Sequence, residues 1–332
     1  MKIKQLYTYP IKSLRGTTIS ETIVTKHGFP YDRRFMILKV HPDRYENMLV
    51  SSFPVMTLFL TDILFPEHDE SGIGEIVVSH KIPGENESKT INIPLRPETS
   101  DLEIIGVTMH DSPTKAYLMD SRYNNWFSSC FGYDVVLAYL GENFRPVLFP
   151  TITSGPSKNS WLSTIHSNIP IIGRPKDDRE QITFADCAPY LLVSETSLQD
   201  VSARLPEGEQ MDISKFRPNI VVEGAESAWE EDFWGKVRLG DAEVNLLQNC
   251  VRCKSINIDY ATGKPGTGEA GAVLKKLQKD RRVDAGAKYS PVFGRYGFLE
   301  LRDQEKRIAV GDEVTVTARN SERTKWDWEG LG

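Results

Sequence analysis

The stretch ATGKPGTGEAGAVLKKLQKD, residues 261–280, carries the reading on which the fold turns. Within it Gly266-Thr-Gly268-Glu-Ala-Gly271 matches G-x-G-x-x-G and opens a helical pattern over about Gly271–Lys279. A dinucleotide fingerprint needs a strand directly before its first glycine, then a βαβ unit with an acid about 20 residues on. Here ATGKP is a turn, and DRRVDAGAKYSP (280–291) offers no hydrophobic strand. The stretch reads as a helix-entry loop, which leaves a NAD-binding enzyme using Gly266–Gly271 as the third and least favoured reading, and the chain as a whole lacks the regular βαβ alternation of a doubly wound sheet. No G-x-x-x-x-G-K-[ST], H-E-x-x-H or G-x-S-x-G occurs, so common ATPase, zincin and α/β-hydrolase readings fall away too.

The rest of the chain is β-rich. KIKQLYTYPI, SETIVTKHGF and Tyr31–Val40 alternate or run apolar as strands, Val55–Phe65 is a further apolar stretch, and 67–103 is polar around a short strand at Glu75–Val78. Asp120 is a candidate N-cap for a helix that Gly132 would stop; the strand YDVVLAYL follows. TFADCAPYLLV is a strand with its approach loop, and Ser194 caps a helix with Leu198, Val201 and Leu205 on one face. EVNLLQ and KSINIDY are strand-like runs flanking Asn249–Cys253, and the chain from Phe293 to Thr317 is again β. The expectation is an α+β, β-rich fold with short helices and no internal repeat. Its units are 1–150, a Ser/Thr/Gly/Pro-rich linker or lid at 151–181, a second β domain at 182–320, and a tail at 321–332.

Composition narrows the class. The 332 residues are 39% hydrophobic and 26% charged with a net charge of −6, which fits a globular protein and gives no bulk case for nucleic-acid binding. Four cysteines are too few for a disulfide scaffold, so a reduced compartment is expected. The N-terminus MKIKQLYTYPIK has neither the apolar core of a signal peptide nor the pattern of a transit peptide, and no membrane span is expected. Localisation is expected to be cytoplasmic, with a mitochondrial-associated alternative.

Charge is unevenly placed. Residues 1–40 hold eight basic groups against Glu21 and Asp32. Lys12-Ser13 in a turn, Arg33-Arg34 at the head of an apolar strand, and Arg217 in FRPN are the kind of groups that hold a phosphate-bearing ligand. Lys2 and Lys4 read instead as strand-edge lysines. Cys250-Val251-Arg252-Cys253 is a C-x-x-C with four readings: half a zinc site, a dithiol, a single thiolate for a soft metal kept ionised by Arg252, or small buried hydrophobes.

Taken together, these pieces resemble a known family. YPIKSLRG (9–16) and GFPYDRRFMIL (28–38) are similar to the N-terminal β-barrel module of MOSC proteins. FADCAPYLLVSETSL (184–198), FRPNIVVEG (216–224), NCVRCKSINIDYATG (249–263), SPVFGRYGFLE (290–300) and IAVGDEV (308–314) are similar to the MOSC domain, collinear over nearly the whole chain. The resemblance is nearest to the mitochondrial amidoxime-reducing component and its bacterial relatives. It implies a molybdenum cofactor, a pterin dithiolene with a terminal phosphate, with Cys253 as the metal ligand and a catalytic position. Cofactor-binding positions carry over to Lys12, Ser13, Arg34, Arg217, Asn219 and the loop Cys250, Val251, Arg252. Ala188 stands where the relatives have a cofactor-lining Ser, and Asp186 falls near the metal as a catalytic proton relay. The implied activity is reduction of N-hydroxylated compounds, amidoximes and hydroxylamines, by oxygen-atom removal. The implied partners are a cytochrome b5 with its NADH-dependent reductase, or a ferredoxin-type protein, because the chain shows no ferredoxin module of its own. The alternative is a molybdenum-cofactor carrier or sulfur-transfer protein; no pyridoxal phosphate domain accompanies it.

Overall fold

The computed structural model describes all residues except 67, 68, 70, 71, 86, 154–179 and 332. Most of the expected linker or lid at 151–181 therefore lies outside the described residues. The strands gather into two main bodies. An eight-stranded sheet runs, edge to edge, through Thr17–Ile19, Lys2–Thr8, Ile220–Glu223, Tyr190–Ser194, Val292–Leu299, Ala242–Val251, Trp234–Leu239 and Val314–Arg319. It curls until its last strand returns to its second. Lys2 bridges Glu313, Ile3 N donates to Asp312 O at 2.9 Å, and Val314 N donates to Met1 O at 2.9 Å. The sheet is thus a nearly closed barrel, and closure leaves few open edges.

Tyr190–Ser194 and Ile220–Glu223 pair in parallel, joined by a crossover that carries the helix Glu195–Ala203. Both faces of these strands are covered. Tyr190 and Leu192 point into the barrel core with Ile220 and Val222, while Leu191, Val193 and Val221 pack outward against Leu198, Val201 and Leu205. That double burial is why YLLV and IVV read as unbroken apolar runs.

The second body holds a five-stranded antiparallel sheet, in order Tyr45–Asn47, Phe35–Val40, Val135–Tyr139, Ser112–Leu118 and Ile104–Met109. A three-stranded sheet of Phe59–Leu64, Glu75–Lys81 and Ser88–Pro94 shares its core. The helix Ser121–Phe131 sends Tyr123 and Phe127 into that core and ends on Gly132 at φ 78°, as its sequence predicts. The segment 9–15 ties the bodies together. Ile11 bridges Phe35, Arg15 bridges Leu60, and Lys12 N donates to Phe35 O at 2.8 Å.

Several elements differ from expectation. Tyr31–Val40 is strand only from Phe35, because Arg33 turns left-handed at φ 52°. Val55–Phe65 divides into a 3-10 turn, Pro54–Leu58, and the strand Phe59–Leu64. KSINIDY begins with a 3-10 turn, Lys254–Asn257, and keeps only Ile258–Asp259 extended. The helix expected over 271–279 is short, Val273–Leu277. The segment 321–331 is no loose tail. Trp326 and Trp328 are buried edge-on against Phe149, and Asp327 Oδ2 accepts Thr151 N at 2.8 Å.

One buried carboxyl bears on stability. Burial pushes Glu231 up to about 7, although Ser197 donates to its Oε2 at 2.7 Å. Folded Glu231 therefore keeps a proton that an unfolded glutamate loses near pH 4.3, so stability falls as pH rises through that window to about 7. Glu231→Gln is expected to gain on the order of 3 kcal/mol over the wild type at pH 8 and little at pH 4. Urea unfolding of both at the two pH values checks this; an equal difference at both would contradict it.

Candidate functional site

A cavity of about 320 Å³ opens where the barrel meets the second body, and a smaller pocket of about 90 Å³ continues its floor. Each wall comes from a separate part of the chain. The tie segment gives Lys12 and Ser13, and the turn before Phe35–Val40 gives Arg33. The approach loop to Tyr190–Ser194 gives Asp186, the end of Ile213–Phe216 gives Arg217, and the end of Ala242–Val251 gives Val251, Arg252 and Cys253. Ala188 and Asn219 line the floor.

The backbone here is strained. Among the described residues seven non-glycine residues have left-handed φ, and four of them line this cavity: Ser13 at 68°, Arg33 at 52°, His110 at 52° and Arg217 at 56°. Each such conformation costs an L-residue roughly 1–2 kcal/mol. Strain concentrated in this way marks functional sites.

Charge is strongly one-sided. Lys12, Arg33, Arg217 and Arg252 face one cavity carboxylate, Asp186. Arg33 is paired from behind by Asp32 at 2.5 Å and donates to Asn219 Oδ1 at 3.2 Å. The guanidinium groups of Arg33 and Arg217 both lie against the Tyr9 ring, at 4.5 and 4.4 Å from its centroid. Arg217 Nη1 donates to Leu14 O at 2.7 Å, but Arg217 Nη2 and Arg252 Nε are buried with no partner. Burial pulls Arg217 below its usual value, and Arg33 adds to the effect.

Asp186 is held from two sides, by Lys12 Nζ at 2.5 Å and His110 Nε2 at 3.4 Å. Asp186 keeps about half of its side chain exposed (52%); partial desolvation in the site would raise its carboxyl, but Lys12 and His110 hold it well below the usual range. Lys12, buried, is pulled below its usual value by desolvation against the pull of Asp186. The buried Arg145 fixes the loop behind them. It donates to Thr183 O, Met109 O and Asp186 O at 3.1, 2.8 and 3.2 Å, and also to Ala185 O.

The C-x-x-C separates into two environments. Cys250 is buried in the barrel's outer core, where desolvation pushes its thiol up, and it receives Arg252 Nη1 at 2.8 Å. Cys187 is buried too, with its thiol well above the usual range through desolvation. Cys253 is the exposed cysteine and opens into the cavity, with Ser255 Oγ at 3.2 Å. Among the described residues no cluster of three or more His, Cys, Asp or Glu could hold a metal ion, so none supplies further ligands for a zinc centre here.

The predicted site residues do not all gather. Arg34 turns away to a different cavity, where it donates to Gly141 O and stacks on Phe144 at 5.2 Å. Its neighbour Arg33 takes the cavity position. Cys250 packs behind the wall, and Asn219, donating to Tyr7 O at 3.3 Å, braces Arg33. Sequence reading missed His110, Arg145, Tyr296 and Trp326. All four arrive from distant segments, and only His110, between two strands of alternating pattern, carries a local turn signal.

The Gly266–Gly271 loop lies outside both pockets. Gly266 N donates to Asn257 O at 2.8 Å, and a Cβ at Gly271 would meet Gly266 O at 2.1 Å, so these glycines serve close backbone packing. At Gly268 a Cβ meets nothing within 4 Å, though φ is +60°. Gly268→Ala is expected to cost about 1 kcal/mol of stability and to remove no nucleotide binding. Tight NADH binding by the purified chain, lost in this variant, would contradict it.

Residues 1–134 match the family model described as the MOSC N-terminal beta barrel domain, and residues 179–315 that of the MOSC domain. Mitochondrial amidoxime reducing component 2 of Rattus norvegicus is 28% identical over 323 residues, covering 94% of this chain and 82% of that protein. The Homo sapiens protein of that name is 26% identical over 324 residues, with the same coverage. Molybdenum cofactor sulfurase of Oryza sativa subsp. japonica is 23% identical over 325 residues, covering 96% of this chain but 34% of that protein. Among the described residues no helix is long and apolar enough to cross a membrane.

Proposed function

The chain belongs to the MOSC family, and on that premise we propose that it is a molybdenum-cofactor oxidoreductase that reduces N-hydroxylated compounds such as amidoximes and hydroxylamines. The observation that carries the reading is one accessible thiol, Cys253, in a cavity walled by four cationic side chains.

The residues present fit such a cofactor. A buried donor left unpaired costs about 1–3 kcal/mol, and phosphate oxygens would take up Arg217 Nη2 and Arg252 Nε, both unpartnered. Lys12, Ser13, Arg33, Arg217 and Arg252 would hold the phosphate and pterin, by charge and by planar donor forks. Ala188 offers the floor a methyl group and no hydroxyl contact. A thiolate at Cys253 is the soft donor that molybdenum prefers.

Bound there, the cofactor would supply the two-electron chemistry that removes oxygen from an N–O bond. The chain orients and supplies charge around it. Asp186, held well below its usual value, stays a carboxylate at neutral pH. It therefore anchors Lys12 and accepts hydrogen bonds; it does not release a proton. Electrons would come from a separate cytochrome b5 with its NADH-dependent reductase, or from a ferredoxin-type protein, in a cytoplasmic or mitochondrial-associated setting.

The test is turnover of benzamidoxime by the purified molybdenum-loaded chain with a reduced viologen dye. Benzamidine should form. Molybdenum retained with no benzamidine formed would favour a cofactor carrier or sulfur-transfer protein, the reading that the likeness to molybdenum cofactor sulfurase supports.

A further inference from the structure

The hairpin between Ile104–Met109 and Ser112–Leu118 turns on two residues, His110 and Asp111, with φ of 52° and 61°. Two-residue hairpins with both central φ positive are usually made by Asn-Gly, Asp-Gly or Gly-Gly, which adopt the shape at little cost. This chain pays for the same turn with an imidazole at its first central position. The tip is also fixed from three sides. Arg145 Nη1 holds Met109 O at 2.8 Å, Trp328 Nε1 holds His110 O at 3.1 Å, and Ser112 Oγ donates to Pro146 O at 2.6 Å. The result places the ring in the cavity wall that Cys253 also lines, with Nε2 at 3.4 Å from Asp186 Oδ1.

We propose that His110 is the catalytic proton donor of this site, delivering a proton to the oxygen that leaves nitrogen. The inference rests on the N-reductase reading. Reductive removal of hydroxyl follows R–NHOH + 2e⁻ + 2H⁺ → R–NH₂ + H₂O. The N–O bond breaks, and one N–H and one O–H bond form. Two electrons come from the external one-electron donor, and two protons come ultimately from solvent. The leaving oxygen needs a proton at the moment the bond breaks, because hydroxide is a poor leaving group.

The other cavity groups suit that task less well. Asp186 is held as a carboxylate, and the Tyr296 phenol is pushed well above its usual value by burial. Guanidinium groups do not release protons, and Lys12 is engaged in pinning Asp186. Imidazole is the side chain that exchanges protons readily near neutral pH. Asp186, a carboxylate, accepts from Nε2–H and orients the ring, so the proton delivered to the leaving oxygen is the one on Nδ1 of the doubly protonated ring, and Nδ1 has no partner among the described residues. That leaves one ring nitrogen for the substrate and explains why Asp186 is kept ionised.

The experiment uses the full molybdenum-loaded chain, benzamidoxime and reduced viologen. His110→Gly suits the left-handed turn and opens the space of the ring; His110→Asn also tolerates that backbone and cannot donate comparably. Both should lower kcat by roughly 100- to 10,000-fold with KM changed by less than about threefold and molybdenum per chain unchanged. Added imidazole should restore at least tenfold of the loss in His110→Gly, which a purely structural role would not allow. Wild-type kcat in both variants, or kcat falling only in step with molybdenum content, overturns the inference. The wild-type assay tests the underlying reading separately: an inactive, molybdenum-loaded wild type removes both, whereas an active wild type with active variants removes only the role of His110.

Discussion

Cys253→Ala is expected to abolish benzamidoxime reduction, by at least about a thousandfold, while Cys250→Ala keeps most of it. The two thiols stand three positions apart and share almost nothing. Cys253 is exposed in the cavity, beside four cationic groups. Cys250 is buried, with its thiol pushed up by desolvation, so it remains protonated and inert at neutral pH. Removing its sulfur leaves a small void and frees Arg252 Nη1, for a stability loss of about 1–2 kcal/mol. Turnover per molybdenum, with thermal melting as the folding control, separates the two effects. Equal loss of turnover in both well-folded variants would point to a dithiol and against a single-ligand role.

The second large effect is on cofactor retention. Arg217→Lys should weaken it by roughly 10- to 150-fold, the equivalent of one charged hydrogen bond of about 1.5–3 kcal/mol. Lysine keeps the charge but loses the planar fork, the stacking on Tyr9 and the reach of Nη2. Arg34→Gln should leave molybdenum content unchanged, since Arg34 binds Gly141 O in another cavity. Molybdenum content after dialysis, compared with the melting temperature of each apo chain, reads this directly. Loss in Arg34→Gln with retention in Arg217→Lys would reverse the assignment.

The contrast between Arg33 and Arg34 shows where sequence reading stops. Period-two burial in Lys2–Thr8 follows from side-chain alternation, while Tyr190–Ser194, buried on both faces, reads as an unbroken apolar run, and both strands lie where the sequence places them. The basic cluster of residues 1–40 was likewise legible as charge. Which of two adjacent arginines lines this cavity depends on one backbone angle, φ 52° at Arg33, and nothing local announces it. KSINIDY looks extended by composition, yet its first four residues coil, because Cys253–Asn257 must turn from the barrel strand toward the Gly266 loop. His110 and Arg145 belong to the site only through contacts across more than 35 residues, Arg145 to Met109 and Asp186, His110 to Asp186 and Trp328. Such contacts are fixed by tertiary packing and leave no periodic trace in the sequence.

The central claim is that this cavity holds a molybdenum cofactor through Cys253. Its most direct test is metal analysis of the chain purified from a host that makes the cofactor, set against Cys253→Ala prepared in parallel. The account predicts about one molybdenum per wild-type chain and a large fall in the variant. A well-folded wild-type chain without molybdenum, or with the same molybdenum content as Cys253→Ala, would contradict it.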